Sequence, residues 1–390
     1  MDIYEKSLQK HAEWKGKIET VCRVDVSSKE ALMEAYTPGV AAPCLEISKD
    51  IEKSFELTRR WNTVPVITDG TAVLGLGDIG PEAGMPVMEG KCALFKAYGD
   101  VDAFPICIKS KDTEDIIKTI KLISGSFGGI NLEDISAPRC FEIETRLKQE
   151  LDIPVFHDDQ HGTAIVIAAA LLNALKVVKK DIGDIRLVVN GAGAAGIAIA
   201  RFLIGFGVKH VISCDRFGIL VEGDPQLNPA QAELAKITNR EKMKGTLADA
   251  LKGADVFVGV SVGNVVSKEM VASMAEKPIL FPCANPIPEI SPKDAKEAGA
   301  YIIGTGSSQY PNQINNVLVF PGLFRGALDV RASTVNLEMM KAASIGIAGC
   351  VSEDELSPEY ILPYAFDKHA HEVVAQEVAK AARATGVARK

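Results

Sequence analysis

The sequence predicts an α/β protein: a Rossmann-type, doubly wound parallel sheet in the C-terminal part, preceded by a smaller mixed α/β N-terminal part. Three observations predict it. Apolar runs at 185–190, 208–214, 256–260, 279–282 and 301–304 alternate with mostly helical segments, an order that calls for βαβ crossovers. A glycine run, Gly191-Ala192-Gly193-Ala194-Ala195-Gly196, separates the first of these strands from a small-residue helix over 197–206. At 390 residues the chain exceeds one ordinary core, and the change of texture divides it into 1–160 and 161–390.

In the first part, residues 28–35 read as a helix that stops before Pro38, because proline biases Thr37 away from helical angles. Residues 64–68 and 72–74 are short apolar runs bounded by Gly and Pro, hence strands. A helix is expected over 89–98, a strand over 103–108, and an amphipathic helix over 112–124 from the spacing of Ile116, Ile117, Ile120 and Ile123. A strongly apolar helix spans 163–179, with Gly162 or Thr163 near its start, and residues 357–389 form a helical tail able to pack on either part.

A net charge of −8 provides no basic footprint for nucleic acid. The N-terminus lacks the apolar core of a secretory signal, and the longest apolar stretch, 163–172, is too short to span a bilayer, so no membrane role is expected. Eight scattered cysteines without a C-x-x-C pair read as reduced, mostly buried thiols of a cytoplasmic protein, not as a thiolate zinc site.

G-x-G-x-x-G occurs twice. The copy at Gly75-Leu76-Gly77-Asp78-Ile79-Gly80 is followed by Pro81 and then Pro86, so a tight turn is expected and no long helix. The second copy has the full dinucleotide context. Gly191 permits the turn, Gly193 lets amides approach phosphate, and Gly196 lets helix pack on strand. Ala194 and Ala195 then lie at the helix N-terminus that holds a pyrophosphate. Asp215 ends the next strand, 19 residues beyond Gly196, where a carboxylate accepts from the adenosine ribose and favours NAD. Arg216 follows, able to stack on adenine or meet a 2′-phosphate, so NADP stays open.

Two acidic pairs flank the expected boundary: Glu133-Asp134, and Asp158-Asp159 within His157-Asp158-Asp159-Gln160-His161-Gly162-Thr163. Adjacent carboxylates repel unless something neutralises them. Carboxylates alone suit Mg²⁺ or Mn²⁺.

Tyr36-Thr37-Pro38-Gly39-Val40-Ala41, the Gly75–Gly80 motif, Glu133-Asp134, the 157–163 segment and Gly191–Gly196 occur here in this order. In that the chain resembles the malic enzymes, specifically the short bacterial type, over about 35–320. The resemblance implies oxidation of L-malate at C2, decarboxylation of bound oxaloacetate, and protonation of enolpyruvate. It implies metal ligands at Glu133, Asp134 and Asp159, Lys91 as the base for the C2 hydroxyl, Asp158 as its helper, and Tyr36 as the acid at C3. At the start of a helix and near a dication, Lys91 is expected to have a lowered pKa. The resemblance further implies Asn285, Asn315 and Asn316 as substrate-side donors, Asn285 also facing coenzyme, and a homodimer in which Tyr36 or Lys91 reaches a neighbour's site. Larger malic enzymes carry an arginine where this chain reads Thr71-Ala72, which leaves the C4 carboxylate to another base, such as Arg23 or a partner residue. Malolactic decarboxylation with retained NAD, and a silent nucleotide-binding regulator, are the alternatives.

Overall fold

The computed structural model describes residues 2–73 and 75–390. Four strands form the first sheet: β1 (Thr63–Thr68), β2 (Asp102–Cys107), β3 (Ile130–Leu132) and β4 (Val155–His157), ordered β2-β1-β3-β4 and all parallel. Six form the second: β5 (Arg186–Asn190), β6 (His210–Asp215), β7 (Gly218–Ile219), β8 (Val256–Gly259), β9 (Ile279–Pro282) and β10 (Ile302–Ile303). Their order is β10-β9-β8-β5-β6-β7, parallel except for the β6–β7 hairpin. Starting at β5, the chain winds to one side and then crosses to the other, which is the doubly wound plan. The Rossmann-type expectation holds.

The Asp158–Val178 helix joins the two sheets and is buried along most of its length. It is long and apolar enough to cross a membrane, but its side chains belong to a core running from Val64 and Val66 to Leu187 and Val189. Protein packing therefore accounts for its composition. The C-terminal chain closes this core. Helices Phe320–Asp329, Leu337–Gly349 and Lys368–Ala384 pack on one another, and the first meets the Pro81–Gly99 helix over the first sheet. Phe95 lies 4.7 Å from Phe320 and 5.3 Å from Phe324, and Phe324 stands edge-on to Phe156 at 6.1 Å. The second part of the sequence thus helps build the hydrophobic shell of the first sheet.

Several local expectations need correction. The helix expected over 89–98 begins at Pro81, directly after Gly80. Proline at the first helical position loses an amide that has no partner there anyway, so the first glycine motif does open a long helix. The apolar helix expected from Thr163 starts at Asp158. The run over 72–74 is no strand: Val73 bridges Gly77 in a turn, and Leu74 lies outside the described residues. Of the tail over 357–389, Lys368–Ala384 alone is helical.

The first three helices, Ile3–Trp14, Lys29–Ala35 and Ala41–Lys49, bury no residue within this chain. They leave Tyr4, Leu8, Trp14 and Leu32 exposed, as is Tyr36 directly after the second helix. The aromatic cluster is, in contrast, fully buried. Phe324→Ala should lower the unfolding free energy by about 3–5 kcal/mol, read as a lower denaturant midpoint with near-unchanged slope.

Candidate active site

Strand register assembles the acidic cluster. Leu132 of β3 pairs with His157 of β4, so Glu133-Asp134 and Asp158-Asp159 leave the C-terminal ends of neighbouring parallel strands side by side. One oxygen from each of Glu133, Asp134 and Asp159 lies within 4.8 Å of the others. Asp134 adopts φ +54°, uncommon for a residue with a Cβ, and its amide donates to Asp159 at 2.7 Å. Asp158 and Asp159 occupy the first turn of the apolar helix, where the helix dipole favours negative charge.

Lys91 is the one ammonium among these carboxylates. Its Nζ donates to Glu133 Oε1 at 2.5 Å and to Asp158 Oδ2, and sits 4.5 Å from the Phe320 ring centroid. Asn131 donates to the other oxygen of Glu133 at 3.0 Å, and Asn316 donates to Asp158. Lys91 lies mid-helix, not at a helix start, so the N-terminal dipole of its own helix does not act on it. Burial disfavours its charge, but Asp158, Glu133 and Asp159 outweigh burial and hold its pKa above the ordinary lysine value. The expected lowering is therefore reversed in the metal-free protein.

The carboxylates show the complementary imbalance. Burial, with repulsion from Asp159 and Glu133, pushes Asp134 up to about 9. Burial raises Glu133 to about 7 and Asp158 to about 7 against the pull of Lys91, and Asp159 to about 6. Asp134 Oδ2 is buried without a hydrogen-bond partner. An oxygen-only trio with excess negative charge, Glu133 and Asp134 buried and Asp159 partly open to the cleft, fits Mg²⁺ or Mn²⁺.

The cluster forms one wall of a cleft of about 1670 Å³, also lined by Gly193, Ala194, Ala195, Asn285, Asn315 and Asn316. On the glycine wall, Gly191 has φ +109°, and a Cβ on Gly196 would collide with the Gly191 carbonyl. Asn315 accepts from the Val317 amide at 2.9 Å, so its carbonyl oxygen caps a local 3₁₀ turn. Asp215 lies at the end of β6, and Arg216 is exposed with its amide donating to Asp215 at 2.7 Å. Tyr36 is 66% exposed and does not line this chain's cleft, so the chain alone does not bring its expected acid to the site. Arg23 is exposed and absent from the cleft wall; Lys17 lines it instead, its amide 3.2 Å from Glu89. No sequence signal distinguished Lys17 from other N-terminal lysines.

Sequence reasoning also missed two buried organisers. Glu289 accepts from Ser261 N at 2.8 Å, Ser261 Oγ at 2.9 Å and Ala284 N at 3.0 Å, tying together two loops of the cleft wall. Glu144 accepts from His161 at 2.8 Å and pairs with Lys148 at 2.8 Å. Burial would raise its pKa, but those cations hold it well below the carboxylate range. His157 is fully buried, and burial lowers its pKa to about 4, so it stays neutral beneath the acidic pairs.

The chain matches two family models, the malic enzyme N-terminal domain over residues 15–148 and the malic enzyme NAD binding domain over 160–383. It is 55% identical to a bifunctional malic/malolactic enzyme of Bacillus subtilis, covering all of this chain and 95% of that protein. It is 56% identical to an NAD-dependent malic enzyme of Geobacillus stearothermophilus, covering 96% and 78%. An NAD-dependent malic enzyme from Thermotoga maritima superposes with a TM-score of 0.93 at 50% identity, covering 97% and 99%.

The raised carboxyl groups give a pH test. Their folded values lie above those of the unfolded chain, so the native state holds more protons and metal-free stability should fall as pH rises from about 5 to about 9. Mn²⁺ displaces those protons, so its stabilising effect should grow over the same range. A flat thermal-shift profile with and without Mn²⁺ would contradict the assignment.

Proposed function

We propose how roles divide among the residues of a chain that belongs to the malic enzyme family and oxidatively decarboxylates L-malate to pyruvate and CO₂ with NAD or NADP. The carrying observation is the buried Lys91–Asp158–Glu133 contact beside the acidic trio, facing the glycine loop across one cleft. Glu133, Asp134 and Asp159 would hold Mg²⁺ or Mn²⁺. When bound, such an ion polarises the C2 oxygen of malate and draws electron density as the C4 carboxylate leaves.

With the trio's charge so committed, Asp158 is the carboxylate left to Lys91. Asp158 is fully buried and has one unpartnered oxygen; once a bound dication offsets the carboxylates that hold Lys91 protonated, Asp158 would take the ammonium proton and leave Lys91 neutral. Lys91 then accepts the C2 hydroxyl proton while hydride would pass to the nicotinamide of a coenzyme whose pyrophosphate the Gly193–Ala195 wall would hold. Asn285 orients substrate and nicotinamide from the rim. Asn316 serves through Asp158, to which it donates. The acid at C3 is Tyr36 of a second copy, because in its own chain Tyr36 points to solvent on a helical arm that buries nothing. A homodimer covers that arm.

NAD is assigned over NADP, because Asp215 ends β6 where a 2′-phosphate would meet a carboxylate. A reducing, cytoplasmic setting agrees with eight unpaired cysteines. The name of the Bacillus subtilis relative supports a second reading, in which pyruvate is reduced to lactate before NADH leaves.

Two experiments test these roles. Lys91→Ala and Tyr36→Phe should each reduce turnover at least 100-fold, as loss of a proton-transfer group does. Mixing the two inactive proteins under subunit exchange should restore activity, since one site of a mixed dimer then pairs an intact Lys91 with an intact Tyr36. No recovery, with exchange verified, places Tyr36 in its own chain's site or nowhere in catalysis. With wild-type enzyme, malate, NAD and Mn²⁺ should yield pyruvate and NADH in equal amounts; lactate without net NADH would favour the second reading.

A further inference from the structure

The Asp215 carboxylate does not stand free. Gln231, 5% exposed in the first turn of the Pro229–Ala235 helix, donates its side-chain amide to Asp215 Oδ2 and, at 3.3 Å, to the Ala192 carbonyl. The orientation of that amide is dictated chemically. Its oxygen accepts from the Asn228 amide at 3.1 Å, while the Asn228 side chain accepts from the Gln231 amide at 3.0 Å. This reciprocal cap commits the oxygen to Asn228, so the NH₂ group must face Asp215 and Ala192. The other Asp215 oxygen accepts from the Arg216 amide.

One buried side chain therefore ties the carboxylate at the end of β6 to the turn between Gly191 and Gly193. Those two elements contact opposite ends of the adenosine diphosphate half in this type of fold. With each oxygen held by one donor, the carboxylate is fixed in orientation, keeps lone pairs for a ribose diol, and cannot swing aside for a 2′-phosphate. We propose that Gln231 is a positioning residue for coenzyme choice, setting NAD preference by fixing Asp215 against the glycine loop. The proposal rests on the assignment of Asp215 to the ribose.

Gln231→Met removes the donor at similar length, and Gln231→Glu keeps the cap acceptor while placing a carboxylate against Asp215. Dissociation constants for NADH and NADPH, read from coenzyme fluorescence without malate or metal, should show NADH binding weakened about tenfold in both variants. That is the scale of losing one hydrogen bond to a charged group. NADPH binding should change less than twofold, so the NADPH/NADH ratio of dissociation constants falls about tenfold. Asn228→Ala breaks the cap but leaves the Asp215 contact; it should lower the melting temperature and leave that ratio unchanged. Equal weakening of both coenzymes in the Gln231 variants would overturn the proposal in favour of a purely structural cap. Asp215→Ala separates the two levels: if it lowers the ratio and the Gln231 variants do not, the proposal fails alone. If Asp215→Ala leaves the ratio unchanged, the ribose assignment fails and the proposal with it.

Discussion

The structure depends on a deliberate imbalance of buried charge. Three buried carboxylates, Glu133, Asp134 and Asp158, and the partly exposed Asp159 share a site with one buried ammonium, Lys91. Taking so many like charges out of water is costly unless protons, a cation or helix dipoles answer them. The raised carboxyl pKa values and the raised Lys91 value are two views of that one imbalance. Both point the same way: the metal-free site favours protons.

The fold supplies the place for this imbalance through parallel pairing. Consecutive strands that run the same way bring their C-terminal ends to one edge, and register pairs Leu132 with His157 there. The residues that follow each strand must then be neighbours. An antiparallel arrangement of β3 and β4 would send the two acidic pairs to opposite ends of the sheet. The returning C-terminal helices complete the enclosure by setting Phe320 against Lys91, so a segment far along the chain determines the polarity of a site built near residues 133 and 158.

What the sequence made legible follows from how local each signal is. The glycine loop, its strand and its helix are contiguous, and their chemistry is carried by Gly191, Gly193 and Gly196 within six positions. Acidic pairs after apolar runs were readable for the same reason. Lys91 was harder, because prolines at 81 and 86 masked a helix that starts where proline is tolerated. Its expected pKa lowering rested on that helix start and on a dication; in the metal-free site the surrounding carboxylates raise it instead. Glu289 and Gln231 were harder still: Asn228 and Gln231 make a local helix cap, but the contacts to Ser261, Ala192 and Asp215 span 16 to 39 residues and exist only once loops are packed. Tyr36 marks a different limit: its residue type was readable, but its own chain leaves it exposed and away from the cleft.

The helix from Asp158 to Val178 is the element that makes these parts one machine. Its first turn carries two of the four carboxylates, and Thr163 and Val166, just beyond, line the cleft facing the glycine loop. Its apolar body packs between both sheets, so the distance between acidic site and coenzyme wall is set by close-packed side chains and not by a flexible linker. Hydride transfer tolerates little error in donor–acceptor distance. The pairing of charge at one end with dense apolar packing along the rest therefore has a single physical purpose: the apolar length fixes the position at which the charged end presents its substrate.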